Sequence, residues 1–103
     1  MSQAYVLGGN RIPFARSNGA YASSSNLEML TTAFDGLAAR YGLAGQPLGE
    51  VAAGAVLKHS KDFNLTREAV LGSAFESSTP AYDVQQACAT GLETVWGLTN
   101  KIR

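Results

Sequence analysis

The chain has 103 residues, 46% of them apolar and 16% charged, and its eight basic residues balance eight acidic ones. That length and composition fit one small globular domain rather than a disordered chain, and a neutral charge balance without a dense basic cluster gives no electrostatic footing for nucleic acid. One cysteine and one histidine leave no internal disulfide and no metal cluster of the usual four-ligand kind.

The start, Met1-Ser2-Gln3-Ala4-Tyr5-Val6-Leu7, has no basic n-region and no long apolar core, so it does not read as a secretory signal. No apolar run approaches the ~20 residues that a membrane-spanning helix needs. A soluble, cytoplasmic protein with no integral membrane segment is the expectation. Ala4 to Leu7, closed by Gly8-Gly9, reads as a buried first strand. The loop Asn10 to Arg16 and a small polar stretch from Ser17 to Ser25 follow.

Ser25 and Glu28 have the spacing of a capping box. Leu27, Leu30, Phe34, Leu37 and Tyr41 then recur at helical spacing, with Gly42 placed as the residue that ends the helix. Val51 to Leu57 reads as a second buried strand, behind the breakers Gly45, Pro47 and Gly49. Asn64 or Thr66 caps a second helix running to about Phe75, with Val70, Leu71, Ala74 and Phe75 as its apolar side. Tyr82 to Ala87 forms the third strand. Leu92, Val95, Trp96 and Ile102 mark a third helix, whose apolar residues read as core, with a dimer surface as the alternative. The order is βαβαβα, and apolar strands separated by helices imply an α/β fold with a mainly parallel sheet covered on both faces. The chain stops directly after the third helix, which reads as an incomplete polypeptide.

Cys88 stands where the third strand feeds into the third helix, in Ala87-Cys88-Ala89-Thr90-Gly91. Unpaired N–H groups and the dipole at a helix start favour a thiolate, so Cys88 is a candidate nucleophile, with an inert buried thiol as the plainer alternative. Ala89 and Gly91 leave room for an acyl group, and Gly91 offers a tight turn. Thr90 supplies a hydroxyl that local backbone could also use. His59, in the loop after the second strand, leaves the same sheet edge as Cys88 but reads first as a solvated loop residue. Lys58, Lys61 and Arg67 could attract a phosphate, although a solvated basic face is the plainer reading.

Three segments carry a family resemblance. Arg11-Ile12-Pro13-Phe14-Ala15-Arg16 resembles the Arg-Thr-Pro-Phe-Gly loop near the start of thiolases. Asn64-Leu65-Thr66-Arg67-Glu68-Ala69-Val70-Leu71 resembles their Asn-x-x-Arg-x-Ala-x-Leu helix, and Ala87 to Gly91 resembles the loop that carries their nucleophile, often Cys-Gly-Ser-Gly. The motifs fall in family order, and the resemblance spans essentially the whole chain. It implies a thiolase-like layered α/β/α fold, with residues 1–103 as the N-terminal part of the thiolase N-terminal domain.

By the same resemblance, Cys88 carries an acyl-thioester intermediate in 3-ketoacyl-CoA thiolysis or acetoacetyl-CoA synthesis. Coenzyme A is a co-substrate rather than a bound cofactor, no metal is needed, and the residues that hold coenzyme A stay unassigned. A homodimer or homotetramer is implied. Thr66-Arg67-Glu68-Ala69-Val70-Leu71-Gly72 leans toward the trifunctional-enzyme β-subunit branch, which adds an α-subunit partner. Ala89 and Thr90 depart from the commoner Gly and Ser, and the family's histidines and second cysteine have no counterpart here. The alternatives are a ketoacyl-synthase-type condensing enzyme and a non-catalytic α/β assembly module with a structural Cys88.

Overall fold

Helix α1 (Asn26–Tyr41) begins at a reciprocal cap, in which the Ser25 hydroxyl accepts from the Glu28 N–H at 3.1 Å and the Glu28 carboxylate accepts from the Ser25 N–H at 3.3 Å. It ends at Gly42, whose φ of 66° is a left-handed conformation that glycine adopts without a Cβ penalty. A computed structural model describes residues 2–103, and after α1 the order is β1 (Val51–Ala53), α2 (Leu65–Gly72), β2 (Ala81–Asp83) and α3 (Thr90–Ile102), with a 3₁₀ turn at Ala87–Ala89 leading into α3.

The two strands pair in parallel, with Val51 opposite Ala81, Ala52 opposite Tyr82 and Ala53 opposite Asp83. Side chains alternate along a strand, and the two faces differ accordingly. Val51, Ala53 and Ala81 pack on a core built from Phe34 and Ala38 of α1, Ala69 and Val70 of α2, and Phe75. The rings of Phe34 and Phe75 lie 5.2 Å apart at 41°, within the tilted geometry that aromatic pairs favour. On the other face α3 packs against β1. The Lys101 ammonium there lies 4.5 Å from the Tyr82 ring and pairs with Glu50, whose carboxylate raises the Lys101 pKa. The result is an α/β/α layering.

Alternation also aims Asp83 at the start of α2. Its Oδ1 accepts from the Thr66 N–H at 2.8 Å, and its Oδ2 accepts from the Leu65 N–H at 3.0 Å and from the Lys58 ammonium at 2.5 Å. A carboxylate meets the orphan donors of a helix start here, while Asn64 caps α2 by accepting from the Arg67 N–H at 3.1 Å. Burial raises the Asp83 pKa, but the Lys58 ammonium and the α2 amides outweigh it and hold the carboxyl below its usual range. Arg67 points back along the chain and donates to the carbonyls of Thr79 and Ser77, both at 2.7 Å. The crossover is thus tied at both ends of β2.

Several elements are shorter than the sequence pattern predicts. The expected first strand, Ala4 to Leu7, is unpaired, with Tyr5, Val6 and Leu7 exposed by 73%, 88% and 91%. The next residues are held by α1 instead: the Tyr41 hydroxyl bonds the Gly9 backbone, Arg40 donates to the Gly9 carbonyl, and Asn10 donates to the Ala33 carbonyl. A strand needs a partner for its backbone groups, and this path gives Ala4 to Leu7 none. The βαβαβα order therefore reduces to αβαβα among the described residues.

The second strand stops at Ala53, and Leu57 is exposed. Helix α2 stops at Gly72, where the Ser73 hydroxyl donates to the Val70 carbonyl and accepts from the Phe75 N–H. That turn still buries Phe75 but leaves Leu71 exposed. The face of α3 expected in the core is also exposed, Leu92 by 73% and Trp96 by 65%. No helix among the described residues is long and apolar enough to cross a membrane.

Truncating Phe75 to Ala removes one half of the buried ring pair, and urea denaturation is expected to show a loss of about 3–5 kcal/mol. Asp83→Asn leaves the α2 amides and Lys58 without their charged acceptor and is expected to cost roughly 1.5–3 kcal/mol at neutral pH. Because the folded pKa of Asp83 lies below its unfolded value of about 3.8, this stabilisation is present above that value and is lost as pH falls through the folded pKa. Acid unfolding monitored by circular dichroism is expected to be shallower in Asp83→Asn than in the wild type.

Candidate active site

The turn that carries Cys88 is set by its neighbours. After β2, the Val84 N–H extends the ladder by one bond, donating to the Ala53 carbonyl at 2.8 Å. Ala87 then adopts a φ of 46°, a left-handed conformation that costs free energy in any residue but glycine. The Thr90 hydroxyl holds this turn, accepting from the Gln86 N–H at 2.9 Å and donating to the Ala87 carbonyl at 2.8 Å. The Ala89 N–H also returns to the Gln86 carbonyl at 2.9 Å. Cys88 lies inside this closed turn with its thiol exposed. No side chain caps α3, so the N–H groups of its first turn carry no side-chain acceptor.

Cys88 lines a groove of about 370 Å³. Ala52 to Val56 form one side, and Ala87, Cys88, Thr90, Gly91 and Thr94 form the other. Gly54 lets the sides meet, because a Cβ there would sit 2.0 Å from the Val84 carbonyl oxygen and 2.8 Å from Cγ2 of Thr90. Gln85 donates from its amide to the Val56 carbonyl at 2.8 Å, which ties the far end of the wall to the same segment. Apart from Cys88, the lining residues carry no titratable side chain.

The remaining candidates fall elsewhere. His59 is exposed and does not line the groove. Of the three residues considered for attracting a phosphate, Lys58 and Arg67 are engaged by Asp83 and by the carbonyls of Phe63, Thr79 and Ser77, and Lys61 is exposed and does not line the groove. Gly91, expected to provide a tight turn, lies in the first turn of α3, and the left-handed residue is Ala87 instead. Thr90 does use its hydroxyl on local backbone, and in doing so shapes the turn.

Two residues with site roles were missed in the sequence. Asp83 carries no signal as the second residue of the expected third strand, whereas Gly54, alone inside an apolar strand pattern, marks a close backbone approach. The Arg11 to Ala15 loop lines a second cavity of about 480 Å³, which shares Gly54 and Ala55 with the Cys88 groove. The arginine loop and the cysteine turn thus converge on one strand exit, the edge where open α/β sheets place their ligands.

The family model described as the thiolase N-terminal domain matches residues 4–103. The chain is 30% identical over 97 residues to a 3-ketoacyl-CoA thiolase of Photorhabdus laumondii, covering 94% of this chain and 22% of that protein. It is 31% identical, over the same shares of each chain, to a 3-ketoacyl-CoA thiolase of Yersinia enterocolitica. The crystal structure of the Bacillus anthracis acetyl-CoA acetyltransferase matches with a TM-score of 0.72 at 20% identity, covering 88% of this chain and 22% of that one. The chain therefore spans about 22% of the length of the relatives it matches. With its layered fold, its three motifs in order and a family match over residues 4–103, the chain belongs to the thiolase family, in the N-terminal domain.

Proposed function

We propose that the protein is an acyltransferase of the thiolase type, that residues 1–103 form the N-terminal part of its N-terminal domain, and that Cys88 is its acyl-carrying nucleophile. The observation that carries this reading is the exposed Cys88 thiol on a strained turn, opening onto a groove in a chain of this family. In the first half-reaction the Cys88 thiolate attacks the 3-keto carbon of a 3-ketoacyl-CoA. The C2–C3 bond breaks, the acyl group becomes a thioester on Cys88, and the acetyl-CoA carbanion takes a proton. In the second, the thiol of coenzyme A gives its proton to a general base as it attacks that thioester, and Cys88 leaves as a thiolate. Coenzyme A is a co-substrate on this reading, and no metal takes part.

The chain supplies only some of what this chemistry needs. Small residues along Ala52 to Ala55 and at Gly91 admit an acyl group beside the sulfur, and the start of α3 favours negative charge nearby. On this reading a general base comes from outside this segment, because no titratable side chain but Cys88 lines the groove. The names carried by the Photorhabdus and Bacillus relatives support acyl-CoA substrates. The exposed apolar face of α3 at Leu92, Val95 and Trp96 supports assembly into a homo-oligomer.

In the complete protein, Cys88→Ala is expected to lower kcat for thiolysis by about 10⁴-fold or more while leaving KM for the acyl-CoA unchanged. A variant with near wild-type kcat would rule out Cys88 as the nucleophile. The 103-residue segment by itself is expected to show no thiolysis turnover in a coupled assay, since it lacks the base. Full-rate turnover by the segment would overturn the division of labour proposed here.

A further inference from the structure

We infer that Thr90 is a positioning residue for Cys88: its hydroxyl clamps the left-handed turn at Ala87 and so fixes where the thiol points. This rests on the proposed role of Cys88 as acyl carrier. Thr90 is 7% exposed, and its hydroxyl bonds both flanks of the turn, accepting from Gln86 at 2.9 Å and donating to Ala87 at 2.8 Å. The hydroxyl thereby bridges the Gln85–Gln86 and Ala87–Cys88 peptide units, which flank the turn on either side. Ala87, at a φ of 46°, would relax toward negative φ without them, because a conformation of this kind persists only when its surroundings enforce it.

The methyl group of the same side chain has a second task. Cγ2 of Thr90 lies where a Cβ on Gly54 would come within 2.8 Å, so the residue also seats the turn against the exit of β1. Thr90 thereby joins the cysteine turn to the groove wall opposite it. Serine at this position keeps the clamp and gives up the wedge, whereas valine keeps the shape and gives up the clamp. The pair separates the two tasks.

The test uses the complete protein, with Thr90→Val, Thr90→Ser and Ala87→Gly made singly and Thr90→Val combined with Ala87→Gly. Hydrogen exchange at the Gln86 amide reads the clamp directly, and acetylation of Cys88 by acetyl-CoA, followed by mass spectrometry, reads the position of the sulfur. Thr90→Val is expected to speed Gln86 exchange and slow acetylation, each by about 10-fold, the worth of a buried hydrogen bond, with KM for acetyl-CoA unchanged. Thr90→Ser is expected to restore both toward wild type, and Ala87→Gly to recover part of the valine defect, because glycine holds a positive φ without a clamp.

Wild-type exchange and acetylation in Thr90→Val would overturn the inference. So would a serine variant as impaired as valine, or a valine defect that Ala87→Gly leaves unchanged. A complete wild-type protein that takes no acetyl group on Cys88 would refute the functional reading instead. In that case Gln86 exchange in Thr90→Val still decides whether the clamp exists.

Discussion

The Asp83 carboxylate is shared among the Lys58 ammonium and the Leu65 and Thr66 amides, and that sharing sets the geometry on both sides of the sheet. Toward the core it fixes the start of α2, whose Ala69 and Val70 complete the contact with α1. Along the chain it fixes the end of β2, only a few residues before the turn that carries Cys88. A half-buried carboxylate with several charge-assisted donors is worth more than an exposed ion pair, because losing any partner leaves a charged or polar group poorly solvated. The side chain that organises the fold thus also sets the point from which the cysteine turn departs.

Beyond Asp83 the turn is determined by close contacts. Gly54 brings β1 against the Val84 carbonyl and the Thr90 methyl at distances that admit no Cβ, and Thr90 binds the turn from within. Strain at Ala87 is held by these neighbours, in the manner of functional sites that keep a reactive group in a single orientation. The thiol ends beside small residues, with room for a substrate and with no acid or base from the groove lining. On the proposed reading, the base that serves Cys88 lies outside this groove, in a protein whose relatives this chain covers to about 22% of their length.

Much of this was legible in the sequence where a signal is local. The Ser25–Glu28 capping box, the Gly42 terminator and the Asn64 cap depend on neighbours a few residues apart, and all of them form, whereas the third strand, expected over Tyr82 to Ala87, ends at Asp83 and leaves Cys88 on a separate 3₁₀ turn before α3. Features that depend on distant partners were not legible. Ala4 to Leu7 has the composition of a buried strand, yet pairing is a property of two segments, and contacts with Tyr41, Arg40 and Ala33 hold the chain beyond it along α1 instead. Leu92, Val95 and Trp96 have helical spacing, which marks an apolar face but cannot say what covers it. Asp83 looks like a lone aspartate near the start of the expected third strand until α2 is folded over it. Lys58 and Arg67 look like a basic surface until their acceptors come into place.

The most direct test of the central claim is to locate the acyl group itself. Brief exposure of the complete protein to isotopically labelled acetyl-CoA, an acid quench and peptide mapping would show which side chain carries the label. The expected result is label confined to the peptide that contains Cys88, as a thioester released by hydroxylamine. Label on another residue, or a Cys88 peptide that stays unmodified while the protein turns over substrate, would contradict the assignment.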